Sequence, residues 1–272
     1  MTFWQNKVAL ITGGSSGLGR AIAEAFAAAG ARVVIGARNE AALCAAAEAL
    51  RRNGHEVLHV PADITRQEDV DRLIARCLET YGRLDVLVNN AGRSMRRALA
   101  ETTPADFRDL MELNFFALVS MTQAALPHLL AHRGHIVNIG SLAGKSAARY
   151  VGAYPATKFA VTAYTQQLRL ELGPSGLHVL LVCTGPIARD RPRDETAIEN
   201  RGDDLAGLPE TAYRPGAGVR VRALQPDWIA RQIVRACERR QPELIYPPSA
   251  RLVFALMQLS PRLADWLVRL TT

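Results

Sequence analysis

No two of the four cysteines, Cys44, Cys77, Cys183 and Cys237, stand close enough to make a C-x-x-C pair. That absence excludes a disulfide framework and a zinc ribbon, and it fits a reducing compartment. The six histidines likewise lack metal-ligand spacing, so they read as surface or packing residues and no metal is expected. Long runs of like charge are missing too. A net charge of +7 brings phosphates, acidic substrates and anionic membrane surfaces into consideration. Scattered as they are, however, the charges read as a solvated surface, and with no nucleic-acid motif beside them nucleic acid is not an expected partner. Lysine is scarce, 3 residues against 30 arginines, which with the abundant alanine reads as codon bias in a GC-rich bacterial genome. Seven residues precede the first strand-like run, VALIT. This leaves no room for a secretory signal or an N-terminal anchor, so the expected location is cytoplasmic.

What is present is a regular alternation. Apolar runs rich in Val, Ile and Leu recur at 7–14, 31–38, 56–63, 84–92, 135–141 and 177–185, separated by segments of helical period. Strands apolar on both faces and alternating with helices predict a parallel sheet covered on both sides, a doubly wound α/β (Rossmann-type) fold. Without a linker or a repeat, the whole of 1–272 reads as one domain. A helix is expected from about 103 to 132, interrupted at Pro127. Composition changes over 190–226, where Gly, Pro and both signs of charge replace the apolar runs. A long irregular segment of this kind reads as a lid over a site, spanning 188–226, or as a disordered surface insertion. The C-terminal tail, 249–271, is apolar and helical in pattern. Its longest uncharged run, 252–261, is ten residues and ends in Pro261, too short to cross a bilayer. A pocket cover, a dimer contact or peripheral contact with a membrane, with Arg251, Arg262 and Arg269 beside Phe254 and Trp266, are the readings it leaves.

Three glycines, Gly13, Gly17 and Gly19, crowd one strand-to-helix junction in TGGSSGLG. Glycines there permit a tight turn and let the backbone approach a pyrophosphate, which the N–H groups and dipole of the following helix attract. The spacing is G-x-x-x-G-x-G rather than G-x-G-x-x-G. Tyr154 and Lys158, in YPATK, are four residues apart and so lie on one helix face. A ketone reduced by hydride needs a proton, and a tyrosine of ordinary pKa about 10 is a poor base in the reverse direction. A neighbouring ammonium is expected to lower that pKa.

Together with Asp63, NNAG at 89–92, Asn114 and Ser141, these motifs resemble the short-chain dehydrogenase/reductase family over roughly 7–187. The resemblance implies an oxidoreductase acting between a nicotinamide dinucleotide and a ketone or secondary alcohol, usually as a homodimer or homotetramer. It assigns Asn114, Ser141, Tyr154 and Lys158 to catalysis. Cofactor contacts fall on Gly13, Ser15, Ser16, Gly17, Leu18 and Gly19, on Asp63 and Ile64, on Asn90, Ala91 and Gly92, and on Tyr154, Lys158, Gly185 and Ile187. Ala37 stands where an NAD-preferring relative usually carries Asp, and Arg38 follows at once, so NADP(H) is expected rather than NAD(H). Asp63 is assigned to the adenine, although an Asx turn or a helix cap explains an aspartate there equally. Asn114 is read as the holder of a relay water, as a satisfied core amide, or as both, and Ser141 either polarises the substrate carbonyl or caps the next turn. The chain departs from the family at CTGPIARD, with Thr184, Gly185 and Pro186 in place of Pro-Gly and with Arg189 where a carboxamide-binding Thr is expected. The tail and the lid suggest a lipophilic substrate, such as a steroid-like ketone, a keto-lipid or an acyl derivative. Two other readings remain at this stage: a related epimerase or dehydratase, and a non-catalytic NADP(H)-binding scaffold.

Overall fold

Residues 2–188, 208, 209, 212 and 223–271 are described by the structure, a computed structural model. Seven strands form one parallel sheet in the order β3-β2-β1-β4-β5-β6-β7. They are β1 (Val8–Thr12), β2 (Arg32–Ala37), β3 (Val57–Pro61), β4 (Val86–Asn89), β5 (His135–Ile139), β6 (His178–Thr184) and β7 (Glu243–Tyr246). Every residue of β1, β5 and β6 is buried, as expected of strands covered on both faces. On one face α1 (Gly17–Ala28), α2 (Glu40–Arg52) and α7 (Pro226–Glu238) contribute Ile22, Phe26, Leu43, Ile229 and Ile233 to a core. On the other, α3 (Gln67–Tyr81) and α5 (Ala117–Ala131) contribute Leu73, Cys77, Met121 and Leu129. The chain is thus a single Rossmann-type domain. Its strand order reverses between β1 and β4, and the crevice at the carboxyl ends of these strands is where such sheets receive ligands.

Two local expectations are corrected. Pro127 lies inside α5 without ending it. A proline frees the carbonyl four residues back, here that of Gln123, and both residues are exposed, so water satisfies it while Met121, Ala125 and Leu129 hold the buried side. The irregularity instead lies upstream, where a π turn at Glu112–Phe116 joins α4 (Pro104–Met111) to α5. Asp63 does not cap α3, whose N-cap residue is Arg66.

At the amino end of the sheet, remote from the crevice, His135 and His178 sit side by side on β5 and β6, both buried. Their Nδ1 atoms are 2.9 Å apart, and His178 Nε2 is 2.8 Å from the Gln241 carbonyl oxygen. The carbonyl can only accept, so His178 carries its proton on Nε2 and its Nδ1 accepts from His135 Nδ1–H. Burial pushes both imidazoles down, His135 to about 3 and His178 to about 4. Cys237 lies close enough to complete a three-ligand cluster. Its thiol is pushed far up by burial, and Lys7 and Arg240 stand near His135. The histidine pair therefore packs as a neutral hydrogen-bonded unit with the Cys237 thiol beside it.

Candidate active site

The carboxyl ends of β1 and β4 are tied together by polar side chains. The Thr12 hydroxyl accepts from the backbone N–H of Asn90 at 3.0 Å and of Ala91 at 3.1 Å, while Asn90 Nδ2 donates to the Thr12 carbonyl at 2.8 Å. This strap fixes the glycine-rich turn against NNAG. Within the turn Gly13 has φ +67 and Gly17 φ +51, a region costly to residues with a Cβ. A methyl on Gly19 would drive into the Gly13 carbonyl, whereas one on Gly17 would meet nothing within 4 Å. Ser16, extended and exposed, precedes α1 without capping it through its side chain. The open ground at Gly17 and the N–H groups starting α1 fit a pyrophosphate, with Ser15, Ser16 and Leu18 on the same turn.

Arg38 follows β2 and is 68% exposed, its Nη1 atom 3.9 Å from Asp63 Oδ2. Asp63 Oδ1 accepts from the Thr65 N–H and hydroxyl, so the Asx turn is present and the second oxygen is the one that faces Arg38. The Ile64 side chain is buried in the core beneath, leaving its backbone as what it can offer a cofactor. Gly185 N–H donates to the Tyr246 carbonyl at 3.0 Å. Ile187 bridges Leu224 in parallel, through bonds from Ala188 N–H to Leu224 O and from Leu224 N–H to Pro186 O. That pattern directs the N–H and carbonyl of Ile187 itself away from Leu224. Arg189 and most of the proposed lid, 188–226, lie outside the described residues.

Four side chains converge beyond β4 and β5. Ser141 follows β5, and its hydroxyl both accepts from Ala143 N–H at 3.1 Å and hydrogen-bonds the Tyr154 phenol. The turn-capping role considered for Ser141 is thus present, and the same hydroxyl stands beside Tyr154. Tyr154 opens α6 (Tyr154–Leu172), and Lys158 lies one turn on, its Nζ 5.8 Å from the tyrosine ring centroid. Lys158 is buried and donates to the Ile139 carbonyl at 2.8 Å. Burial lowers its ammonium to about 8. Asn114, 2% exposed, sits in the π turn. Its Nδ2 donates to the Arg93 carbonyl and to the Thr157 hydroxyl, and its Oδ1 accepts from Arg93 N–H. The satisfied amide is thus realised. A methyl on Gly92 would come within 2.9 Å of Asn114 Oδ1 and 3.9 Å of Lys158 Nζ, which places these three residues side by side.

The electrostatics of Tyr154 differ from the sequence expectation. Burial dominates and raises the phenol pKa, while the Ser141 hydrogen bond and the positive charge of Arg96 oppose that rise and the Cys183 thiol adds to it.

Arg96 and Thr12 are the residues that sequence reasoning missed. Arg93 and Arg97 pair with Asp109 and Asp106 on α4. Arg97 also pairs its backbone with residues 150–152, accepting from Gly152 N–H at 3.2 Å and donating to Tyr150 O at 3.3 Å. In such extended backbone successive side chains alternate, so Arg96 turns to the opposite side, buried, where its charge bears on Tyr154. The run of three arginines in GRSMRR was visible, but its inward member was not.

Residues 7–199 match the family described as short chain dehydrogenase. Over 266 residues the chain is 32% identical to an uncharacterised oxidoreductase, YxnA, of Bacillus subtilis, covering 97% of this chain and 72% of that one. It is 38% identical over 188 residues to L-fucose dehydrogenase of Mus musculus, covering 69% and 67%. Among solved structures, a short chain dehydrogenase/reductase from Burkholderia phymatum in complex with NAD superposes with a TM-score of 0.82 at 28% identity, covering 97% of this chain and 96% of that one. A variant of actinorhodin polyketide ketoreductase with NADPH gives a TM-score of 0.76 at 30% identity, covering 90% and 97%.

Proposed function

Since this chain belongs to the short-chain dehydrogenase/reductase family, oxidoreductases of alcohol and ketone groups, we propose that it transfers hydride between NADP(H) and a lipophilic ketone or secondary alcohol. The observation that carries this reading is the convergence of Ser141, Tyr154 and Lys158 beside the strapped glycine turn. When bound, the nicotinamide supplies or accepts the hydride. Ser141 donates a hydrogen bond to the substrate oxygen, and Tyr154 gives that oxygen its proton on reduction or takes it on oxidation. Lys158, held against the Ile139 carbonyl, keeps a positive charge next to the phenol. Asn114 anchors the Arg93 backbone and supports a proton path past Lys158. Cofactor choice rests on Arg38, whose exposed guanidinium is placed to accept a 2′-phosphate at the end of β2, where Ala37 offers no acid to a 2′-hydroxyl. The enzyme is read as cytoplasmic and as a homodimer or homotetramer, with Phe116 before α5 and Phe159 on α6 both leaving large apolar side chains exposed.

Loss of NADPH absorbance over ketones from small and polar to steroid-sized and acyl-chain tests the reading. Turnover is expected with apolar ketones and with NADPH ahead of NADH. Turnover of small polar carbonyls alone would remove the lipophilic substrate, and NADPH binding with no turnover across the panel would favour a binding role. Arg38→Asp is expected to reverse the coenzyme preference, on the order of tenfold or more in the ratio of kcat/KM values; an unchanged ratio would remove Arg38 from coenzyme choice.

Arg96→Gln removes a positive charge beside Tyr154. In the oxidation direction the acid limb of the pH–rate profile is expected to move to higher pH, lowering kcat at neutral pH roughly tenfold. Arg96→Lys is expected to restore most of it. A profile with an unmoved limb would show that Arg96 acts only in packing.

A further inference from the structure

The tail forms two helices after β7, α8 (Ala250–Met257) and α9 (Pro261–Thr271). Ala250 and Phe254 pack against a cluster containing Leu118, Cys183 and Ile245, on whose margin Leu142 also lies. The hairpin therefore sits at the end of the sheet where Ser141 and Tyr154 stand. Apart from this footing it is poorly covered: no side chain from 250 to 269 is fully buried. Leu252, Leu256 and Leu259 recur at helical spacing and, like Trp266 of α9, leave large apolar side chains exposed, Leu252 being 68%, Leu259 74% and Trp266 55% exposed. Arg251, Arg262 and Arg269 are exposed on the same hairpin, and the only acid between 244 and 272 is Asp265.

We propose that the α8–α9 hairpin is a docking surface for an anionic lipid bilayer, with Leu252, Leu256, Leu259 and Trp266 entering the interface and Arg251, Arg262 and Arg269 meeting the headgroups. Charge decides between this occupant and a second copy of the chain. A twofold dimer through this patch would set the patch against itself, bringing three arginines and one aspartate onto an identical set. An anionic surface instead meets all three cations with opposite charge, worth about fivefold in partitioning for each arginine close to it. Leucine and tryptophan beside arginine are also the side chains that suit the boundary between acyl chains and headgroups. Docked in this way, the protein turns the end of the sheet that carries Ser141 toward the phase in which lipophilic ketones reside. The docking itself is independent of turnover, so a negative ketone panel leaves it standing.

Flotation of the full-length protein with vesicles tests it. Binding to vesicles of equal parts phosphatidylglycerol and phosphatidylcholine is expected, with little binding to phosphatidylcholine alone and weakening as salt rises. Replacing Arg251, Arg262 and Arg269 together by Gln is expected to lower partitioning about 100-fold. Replacing Leu252, Leu259 and Trp266 by Ser is expected to abolish it, with NADPH affinity and thermal midpoint retained because these side chains are exposed. Equal binding to neutral and anionic vesicles would overturn the role of the arginines. Absence of vesicle binding, together with dissociation of an oligomer by the Leu and Trp substitutions in light scattering, would assign the patch to a second copy and overturn the proposal.

Discussion

Tyr154→Phe is expected to lower kcat by ~10²–10⁴-fold while leaving NADPH affinity and thermal stability close to those of the parent. The size follows from what the hydroxyl does. It is the acidic proton placed next to Ser141 at the carboxyl edge of the sheet, and the phenylalanine keeps the ring that packs with Met95 and Ala153. Because burial raises the phenol pKa, the proton stays on tyrosine at neutral pH, which favours the donor role needed for reduction. Oxidation is expected to demand higher pH, where the phenolate becomes accessible. Measuring kcat in both directions, with cofactor affinity from fluorescence in parallel, separates a chemical loss from a binding loss. If turnover survived within tenfold of the parent, proton transfer by Tyr154 would have to be abandoned. A fall in affinity matching the fall in rate would make the residue a cofactor contact first.

Mild acid is expected to destabilise the fold through the His135–His178 pair. Each imidazole is lowered from an ordinary 6.5, to about 3 and about 4, so the unfolded chain takes up protons that the folded chain refuses. The stability this neutral pair provides is complete above about pH 6.5, and it is lost progressively as pH falls toward the folded values. At pH 4.5 the loss is on the order of 5 kcal/mol, roughly half from each imidazole. A proton added to His178 Nδ1 would point at the proton on His135 Nδ1 across 2.9 Å, which is why acid breaks the pair rather than charging it in place. Asp69 and Asp106, whose carboxyls are held below the usual range, lose their contribution only at lower pH and leave the window between 6.5 and 4.5 to the histidines. Thermal midpoints across that window, for the parent and for a variant with His135 and His178 both replaced by Gln, check the point. The variant is expected to start less stable and to show a shallower decline. Parallel slopes would mean that other groups govern the acid response.

The histidine pair also shows what a sequence conceals. His135 and His178 are 43 residues apart, and only the parallel register of β5 and β6 sets them abreast. Motifs whose chemistry is local were legible: the strand runs, the glycines of the first turn, and Tyr154 with Lys158 one turn apart. Thr12 was not, because its hydroxyl matters through an acceptor position that exists only once β1 and β4 are neighbours. Arg96 was hidden among three arginines, since its inward direction depends on Arg97 pairing with residues 150–152. The phenol pKa was expected to fall because the ammonium was visible in sequence and the depth of burial was not. Pro127 misled in the other direction, since its exposed position in α5 lets solvent satisfy the carbonyl that a buried proline would have orphaned.

The bridge between Ile187 and Leu224 bears on how such a protein diversifies. Where the chain leaves the sheet and where it returns are clamped to each other before α7 begins, so residues between them can be lengthened, shortened or exchanged without altering strand spacing. Lengthening a segment whose ends are already pinned costs little entropy. Changes in length between the two bridged residues therefore leave the strands, and with them the positions of Ser141 and Tyr154, where they are.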